Sequence, residues 1–231
     1  RPGGPGRQSR SDGAARGATL IALPEVADAI IEDPALLQER AQPETGHEAL
    51  AGYRALARET GTALLLGSAV VRTDGPRFAN RSYLLGPDGA VLARYDKIHL
   101  YDADLPDGEV HRESAQFAPG GTGVVARLPG GGRLGLTICY DLRFPQLHRA
   151  LAKAGAEILA VPAAFACATG PPPRKPNAVV ADAPASSRRR DNDMSPMTST
   201  PWVIMAFVGG RASAQGKTNP HRTRVHALPR H

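Results

Sequence analysis

The sequence predicts an α/β fold, with helices layered on mixed sheet, and three observations carry that prediction. Two continuous apolar runs of strand length, Ala18 to Leu23 and Thr62 to Val71, have the composition of strands buried on both faces. Between them Leu50, Tyr53, Leu56 and Ala57 recur at helical spacing. Further on, strand-like segments come in pairs joined by turn residues, and a second helical stripe follows them.

Taken in order, residues 1–16 are Gly, Pro, Arg and Ser without periodicity and read as irregular. Ala18 to Leu23 reads as a buried strand ending at Pro24, and Val26 to Ala41 is mixed. A helix follows Glu44 and closes at Gly61, where the left-handed residue of a helix end belongs. Thr62 to Val71 is the second buried strand. Phe78 to Leu85, the turn Gly86-Pro87-Asp88-Gly89, and Ala90 to Lys97 read as a hairpin. His99 to Gly121 is a polar loop. Val124 to Leu128 and Arg133 to Ile138 flank a Gly-rich turn as another strand pair. Pro145 opens a helix with Leu147, Ala150, Leu151 and Ala154 on one face, closed by Gly155. Glu157 to Val161 is one more strand. After Gly170 only Trp202 to Val208 has strand character.

Charge divides the chain in the same way. Residues 1–16 carry +3 (four Arg, one Asp) and residues 171–231 carry +7 (ten Lys and Arg, three Asp). Residues 17–170 carry −4, from 14 basic and 18 acidic side chains. The net +6 therefore describes the flanks and gives no reason to expect nucleic-acid binding beyond non-specific attraction to them. The Arg188-Arg189-Arg190 run reads as a solvated charge cluster. The expected organisation is an irregular 1–16, a core at 17–170, and a basic, Pro/Arg-rich, poorly ordered 171–231. Two cysteines make no disulfide framework, and no His/Cys cluster has structural-zinc spacing. The longest apolar run is too short for a membrane span, and the first residues lack a signal-peptide core, so the expectation is a cytoplasmic protein.

Chemistry concentrates where three strands end. The run Arg133-Leu-Gly-Leu-Thr-Ile-Cys139-Tyr140-Asp141-Leu-Arg143-Phe144-Pro145 delivers a cysteine to a strand end just before a helix. A nearby helix start and positive charge favour its thiolate; the alternative is a buried core cysteine. Leu20-Ile-Ala-Leu-Pro24-Glu25 ends a strand in a carboxylate suited to general-base work, and Arg94-Tyr-Asp-Lys97 ends another in a lysine. Each of these two, taken alone, reads more readily as a surface charge.

Together the three segments resemble the nitrilase superfamily of carbon–nitrogen hydrolases: Pro-Glu after a strand, a Tyr-Asp-Lys-x-His-Leu block, and a Cys-Tyr-Asp-x-Arg-Phe-Pro block. The resemblance runs over about 11–170 and includes Asn80, Glu113-Ser114 with Pro119-Gly120, and Ala154-Gly-Ala-Glu-Ile158 leading to Pro162. It is nearest the Nit branch, which includes amidases acting on deaminated glutathione. It implies an αββα sandwich with mixed sheets, and a small ω-amide substrate cleaved through a thioester on Cys139. Glu25 would move the protons, while Lys97 and the Tyr140 N–H would stabilise the oxyanion and Glu113 would position Lys97. Phe165 would line the substrate pocket, no cofactor or metal would be needed, and a complete chain would form a homodimer. His99 and His148 are expected to be structural, and Cys167 a strand-end or pocket-wall residue. Both ends depart from the family pattern, as a truncated or frame-shifted reading frame would, leaving the sandwich incomplete there. Nitrile hydrolysis, acyl transfer to an amine, and a non-catalytic remnant are the alternative readings.

Overall fold

The structure is a computed structural model that describes residues 17–28, 33–105, 108–165, 179–182 and 202–209; at Phe165, 179–182 and 202–209 it describes backbone alone. In chain order the elements are β1 (Ala18–Ala22), α1 (Pro34–Arg40), β2 (Gln42–Pro43), α2 (Glu48–Thr60), β3 (Ala63–Arg72), β4 (Ala79–Leu85) and β5 (Val91–Asp96). Then come β6 (Asp102–Asp104), β7 (Val110–Arg112), α3 (Glu113–Gln116), β8 (Val124–Arg127) and β9 (Arg133–Leu136). A 3-10 turn (Cys139–Arg143), α4 (Pro145–Lys153), β10 (Ile158–Phe165), β11 (Val179–Asp182) and β12 (Trp202–Gly209) complete the set.

The strands form two large mixed sheets. In the first the order is β11-β1-β3-β4-β5, with β2 also on β3; β1 and β3 are parallel, while β3, β4 and β5 are antiparallel. In the second the order is β12-β10-β9-β8, parallel except for the β8–β9 pair. A separate two-stranded ribbon joins β6 to β7.

Strand alternation sets the layers, because successive side chains point to opposite faces. Ile21, Leu23, Leu64, Leu66, Tyr83 and Leu85 face α2, whose buried stripe is Leu50, Tyr53, Leu56 and Ala57. Their neighbours Leu20, Ala22, Ala63, Leu65 and Leu84 face the second sheet and pack on Leu134, Leu136, Ile138 and Ala160. The far side of that sheet takes Leu147 and Leu151 of α4. Helix, sheet, sheet, helix is the αββα sandwich. Both sheets are covered on two faces, which is why β3 is buried from Ala63 to Val71 and shows no alternation of buried and exposed residues.

Several short elements differ from the sequence expectation. Residues 34–40 form α1, with the Asp33 carboxylate accepting from the Ala35 N–H and Pro34 in the first turn. The polar stretch 99–121 contains β6, β7 and α3. Val179–Asp182, expected to be irregular, pairs antiparallel with β1. Four residues are too few for periodicity to register, yet they satisfy backbone groups on an open strand edge. The expected strand at 202–208 is present as β12. Most of both basic flanks, including Arg188 to Arg190, and Cys167 lie outside the described residues. Among the described residues no helix is long and apolar enough to cross a membrane.

Candidate active site

Glu25 lies just beyond β1, in a loop sewn to the middle of β3. Leu23 N–H donates to Leu65 O at 2.7 Å, Val26 N–H to Ser68 Oγ at 2.8 Å, and Ala27 N–H to Ser68 O at 2.9 Å. Asp28 Oδ2 in turn accepts from Val70 N–H at 3.1 Å. Pairing of β3 with β4 shifts register between Leu66 and Ala69, so the bulge at Gly67-Ser68 turns toward this loop. Gly67 is required there: a Cβ would sit 1.9 Å from Leu23 O and 2.5 Å from Pro162 Cβ. Val26 is held at φ 49°, a left-handed conformation that a β-branched residue adopts only under surrounding constraint.

Lys97 follows β5 and is fixed by its own backbone. Its N–H donates to Asn80 O at 2.9 Å, and its carbonyl accepts from Gly120 N–H at 2.8 Å. A side chain at Gly120 would collide with Asp96 O, which explains the glycine. Lys97 Nζ is buried and donates to Glu25 Oε1 at 2.9 Å and to Glu113 Oε2 and Oε1 at 2.8 and 3.0 Å. Glu113 is oriented by Tyr101 N–H at 2.6 Å, and Asn80 Nδ2 bridges Glu25 Oε1 and Glu113 Oε1 at 3.0 and 3.1 Å. Burial alone would weaken the lysine's hold on its proton. The charges of Glu25 and Glu113 outweigh that and hold Lys97 above its ordinary value.

Cys139 opens the 3-10 turn at φ 46°, so the chain reverses sharply at the strand end and leaves the half-buried thiol facing Ala164 O at 3.9 Å. Glu25 Oε2 accepts from the N–H of the same Ala164 at 3.0 Å, so thiol and carboxylate meet at one residue of β10. The expectation of a favoured thiolate is corrected here. Burial first, and then the Glu25 charge, push the thiol well above its usual range despite Lys97. The helix α4 begins at Pro145, six residues on.

A buried carboxylate locks this turn to the Lys97 strand. Asp141 Oδ2 accepts from Tyr95 Oη at 2.6 Å and from Ile138 N–H at 2.9 Å. Its Oδ1 accepts from His99 N–H at 3.0 Å and from His99 Nδ1 at 2.7 Å. The His99 ring stacks on Phe144 with centroids 3.6 Å apart, and Tyr140 packs edge-on to Tyr101 and Phe144. His99 is therefore structural, as expected, and His148 bonds the carbonyl of Phe144, the residue just before its helix.

The structure thus brings Glu25, Lys97, Glu113 and Cys139 together, with Tyr140 next in the turn. Phe165 ends β10 one residue beyond Ala164, and its side chain lies outside the described set. Sequence reading placed Asn80 and Asp141 in family-like segments without assigning them these roles, and did not single out Ser68 or the Ala164 peptide; Gly67, a glycine inside a strand-like run, is a signal that could have pointed to the Ser68 loop. Among the described residues, no group of three or more His, Cys, Asp or Glu is arranged to hold a metal ion. An open depression beside Arg81, Arg94 and Asp96 is charge-balanced: Arg81 pairs with Asp96 and Glu44 at 2.6 and 2.9 Å, and Arg94 with Glu44 at 2.6 Å.

Comparison with known proteins shows the family. The carbon-nitrogen hydrolase family matches residues 9–188. Mouse deaminated glutathione amidase is 42% identical over 159 residues, 67% of this chain and 49% of that protein. The deaminated glutathione amidase of Synechocystis is 33% identical over 224 residues, 90% of this chain and 82% of that protein. Among solved structures, the C. elegans NitFhit protein superposes with TM-score 0.61 at 30% identity, covering 72% of this chain and 40% of that one. The amidase of Nesterenkonia sp. AN1 gives 0.58 at 29%, covering 69% and 58%. The chain belongs to the carbon–nitrogen hydrolase family of the nitrilase superfamily. It spans about half the length of the mammalian relatives it matches.

Proposed function

We propose that this chain hydrolyses the amide C–N bond of a small ω-amide through a thioester on Cys139. The observation that carries the reading is the meeting of the Cys139 thiol and the Glu25 carboxylate at Ala164, with Lys97 bonded to that same carboxylate. Relatives named deaminated glutathione amidase support the substrate class. Mutants of the Nesterenkonia amidase that carry covalent adducts at the active site cysteine support the nucleophile.

Because the thiol is held protonated, sulfur attacks only as Glu25 removes its proton. The sulfur pair forms the C–S bond while the carbonyl π pair moves to oxygen. Lys97 and the Tyr140 N–H stabilise that oxyanion. On collapse the C–N bond breaks, the proton passes from Glu25 to the departing nitrogen, and ammonia leaves. Water, deprotonated by Glu25, then adds to the thioester carbon; the C–S bond breaks, the sulfur takes back the proton from Glu25, and the carboxylic acid product is released. Glu113 keeps Lys97 charged and in place throughout.

The test is ammonia release from a short ω-amide such as a dicarboxylic acid monoamide, measured beside the matching nitrile. Turnover of the amide with little from the nitrile is expected. Preference for the nitrile, or acyl transfer to added amine without net hydrolysis, would overturn the reading.

A further inference from the structure

Glu25 has two oxygens with different surroundings. Oε1 accepts from Lys97 Nζ at 2.9 Å and from Asn80 Nδ2 at 3.0 Å, whereas Oε2 accepts from the Ala164 N–H at 3.0 Å. Oε2 is therefore the oxygen with capacity to spare, and it lies at the residue whose carbonyl meets the Cys139 thiol. Asn80 is buried, with 2% of its surface exposed, and both partners of its Nδ2 are carboxylates. Its amide orientation is thereby fixed, since the carbonyl end could not face two acceptors.

We infer that Asn80 is a positioning residue that occupies Glu25 Oε1 and turns Oε2 toward the thiol. The inference rests on the amidase reading for its meaning, since a proton acceptor matters only if Cys139 attacks. Charge explains why an amide serves here. Glu25, Glu113 and Lys97 sum to −1, and they face one another from the β1 loop, the start of α3 and the end of β5, with Cys139 on the adjoining turn. A second cation at position 80 would quench the basicity of Glu25, and an anion would drive the two carboxylates apart. A neutral double donor bridges them and leaves the charge unchanged. The Asn80 carbonyl also holds the Lys97 N–H, so one residue of β4 registers the lysine by its backbone and both glutamates by its side chain.

The experiment compares the full-length chain with Asn80→Ala and Asn80→Asp. Glutamate labelled with 13C at the side-chain carboxyl reports the surroundings of Glu25 directly, its resonance assigned by Glu25→Gln. Loss of the Nδ2 donor at Oε1 should shift that resonance in both variants relative to wild type. The kcat for ammonia release should fall by about tenfold or more in both while KM changes little, because the proton acceptor is turned away from the thiol, and thermal melts show that the isosteric Asn80→Asp chain is folded. An unmoved Glu25 resonance in a folded Asn80→Asp chain overturns the inference. A resonance that differs between wild type and variants, where wild type releases no ammonia, upholds the Asn80–Glu25 coupling and removes the amidase reading instead.

Discussion

Replacing Lys97 by Met deletes one cation between two carboxylates, and the structure sets the size of the consequence. Three charge-assisted hydrogen bonds are lost, at 2.8, 2.9 and 3.0 Å. Glu25 and Glu113 remain within reach of one another through Asn80, both largely shielded from water. Breaking a buried ion pair by removing one partner costs about 3–5 kcal/mol. The lower figure applies, because Glu25 keeps the Ala164 N–H and Glu113 keeps the Tyr101 N–H. For a chain of this size about 3 kcal/mol corresponds to a melting temperature lower by roughly 6–12 °C. The sign of the pH dependence also follows. Lys97 is held above its ordinary value, so its contribution is fully present below the unfolded lysine value and is lost as pH rises through that value toward the folded one. The deficit of Lys97→Met relative to wild type should therefore be full at pH 8 and smaller at pH 11. Paired thermal melts at the two pH values measure it. A deficit below about 1 °C at pH 8, or one that grows toward pH 11, would refute the picture of Lys97 as the counter-charge of two glutamates.

Further outcomes follow from the same geometry. Asp141→Asn places an amide N–H among the donors Tyr95, His99 and Ile138, and should lower stability by about 2–4 kcal/mol in denaturant titrations; an unchanged midpoint would show that the clamp carries no weight. Gly67→Ala drives a methyl into Leu23 O and Pro24 O, so kcat should fall by about tenfold or more as Glu25 is displaced, against an expectation of no change if the loop yields freely. Cys139→Ala should abolish ammonia release while Cys167→Ala retains most of it; equal losses would undo the assignment of the nucleophile.

The sequence made the long elements and the strand-end residues legible, for different physical reasons. Strands β1 and β3 lie between two apolar layers, so burial is written as long hydrophobic runs, and α2 shows its stripe at helical spacing. Glu25, Lys97 and Cys139 stood out because each is a reactive side chain placed where such a run stops. Helix α1 was missed although Asp33-Pro34 is a capping signal, because only Leu37 among its residues is buried and no stripe could form. Strands β6 and β7 are half solvent-facing and three residues long, too short to alternate visibly. The roles of Asn80 and Asp141 were not legible for another reason. Their partners lie 55 and 42–46 residues away, and hydrogen-bond complementarity between distant segments leaves no periodic trace. The state of the thiol was misjudged because local sequence shows a nearby lysine but not the burial and the second charge that outweigh it.

The central claim, that Cys139 forms a covalent acyl intermediate, is tested most directly by intact-mass analysis. The full-length chain is mixed with a short ω-amide, acid-quenched within seconds, and digested to locate the adduct. The account predicts a mass gain equal to the substrate less ammonia, carried on the peptide containing Cys139 and absent from Cys139→Ala. Ammonia release in full yield with no such adduct on any time scale, or an adduct mapped to Cys167, would contradict it.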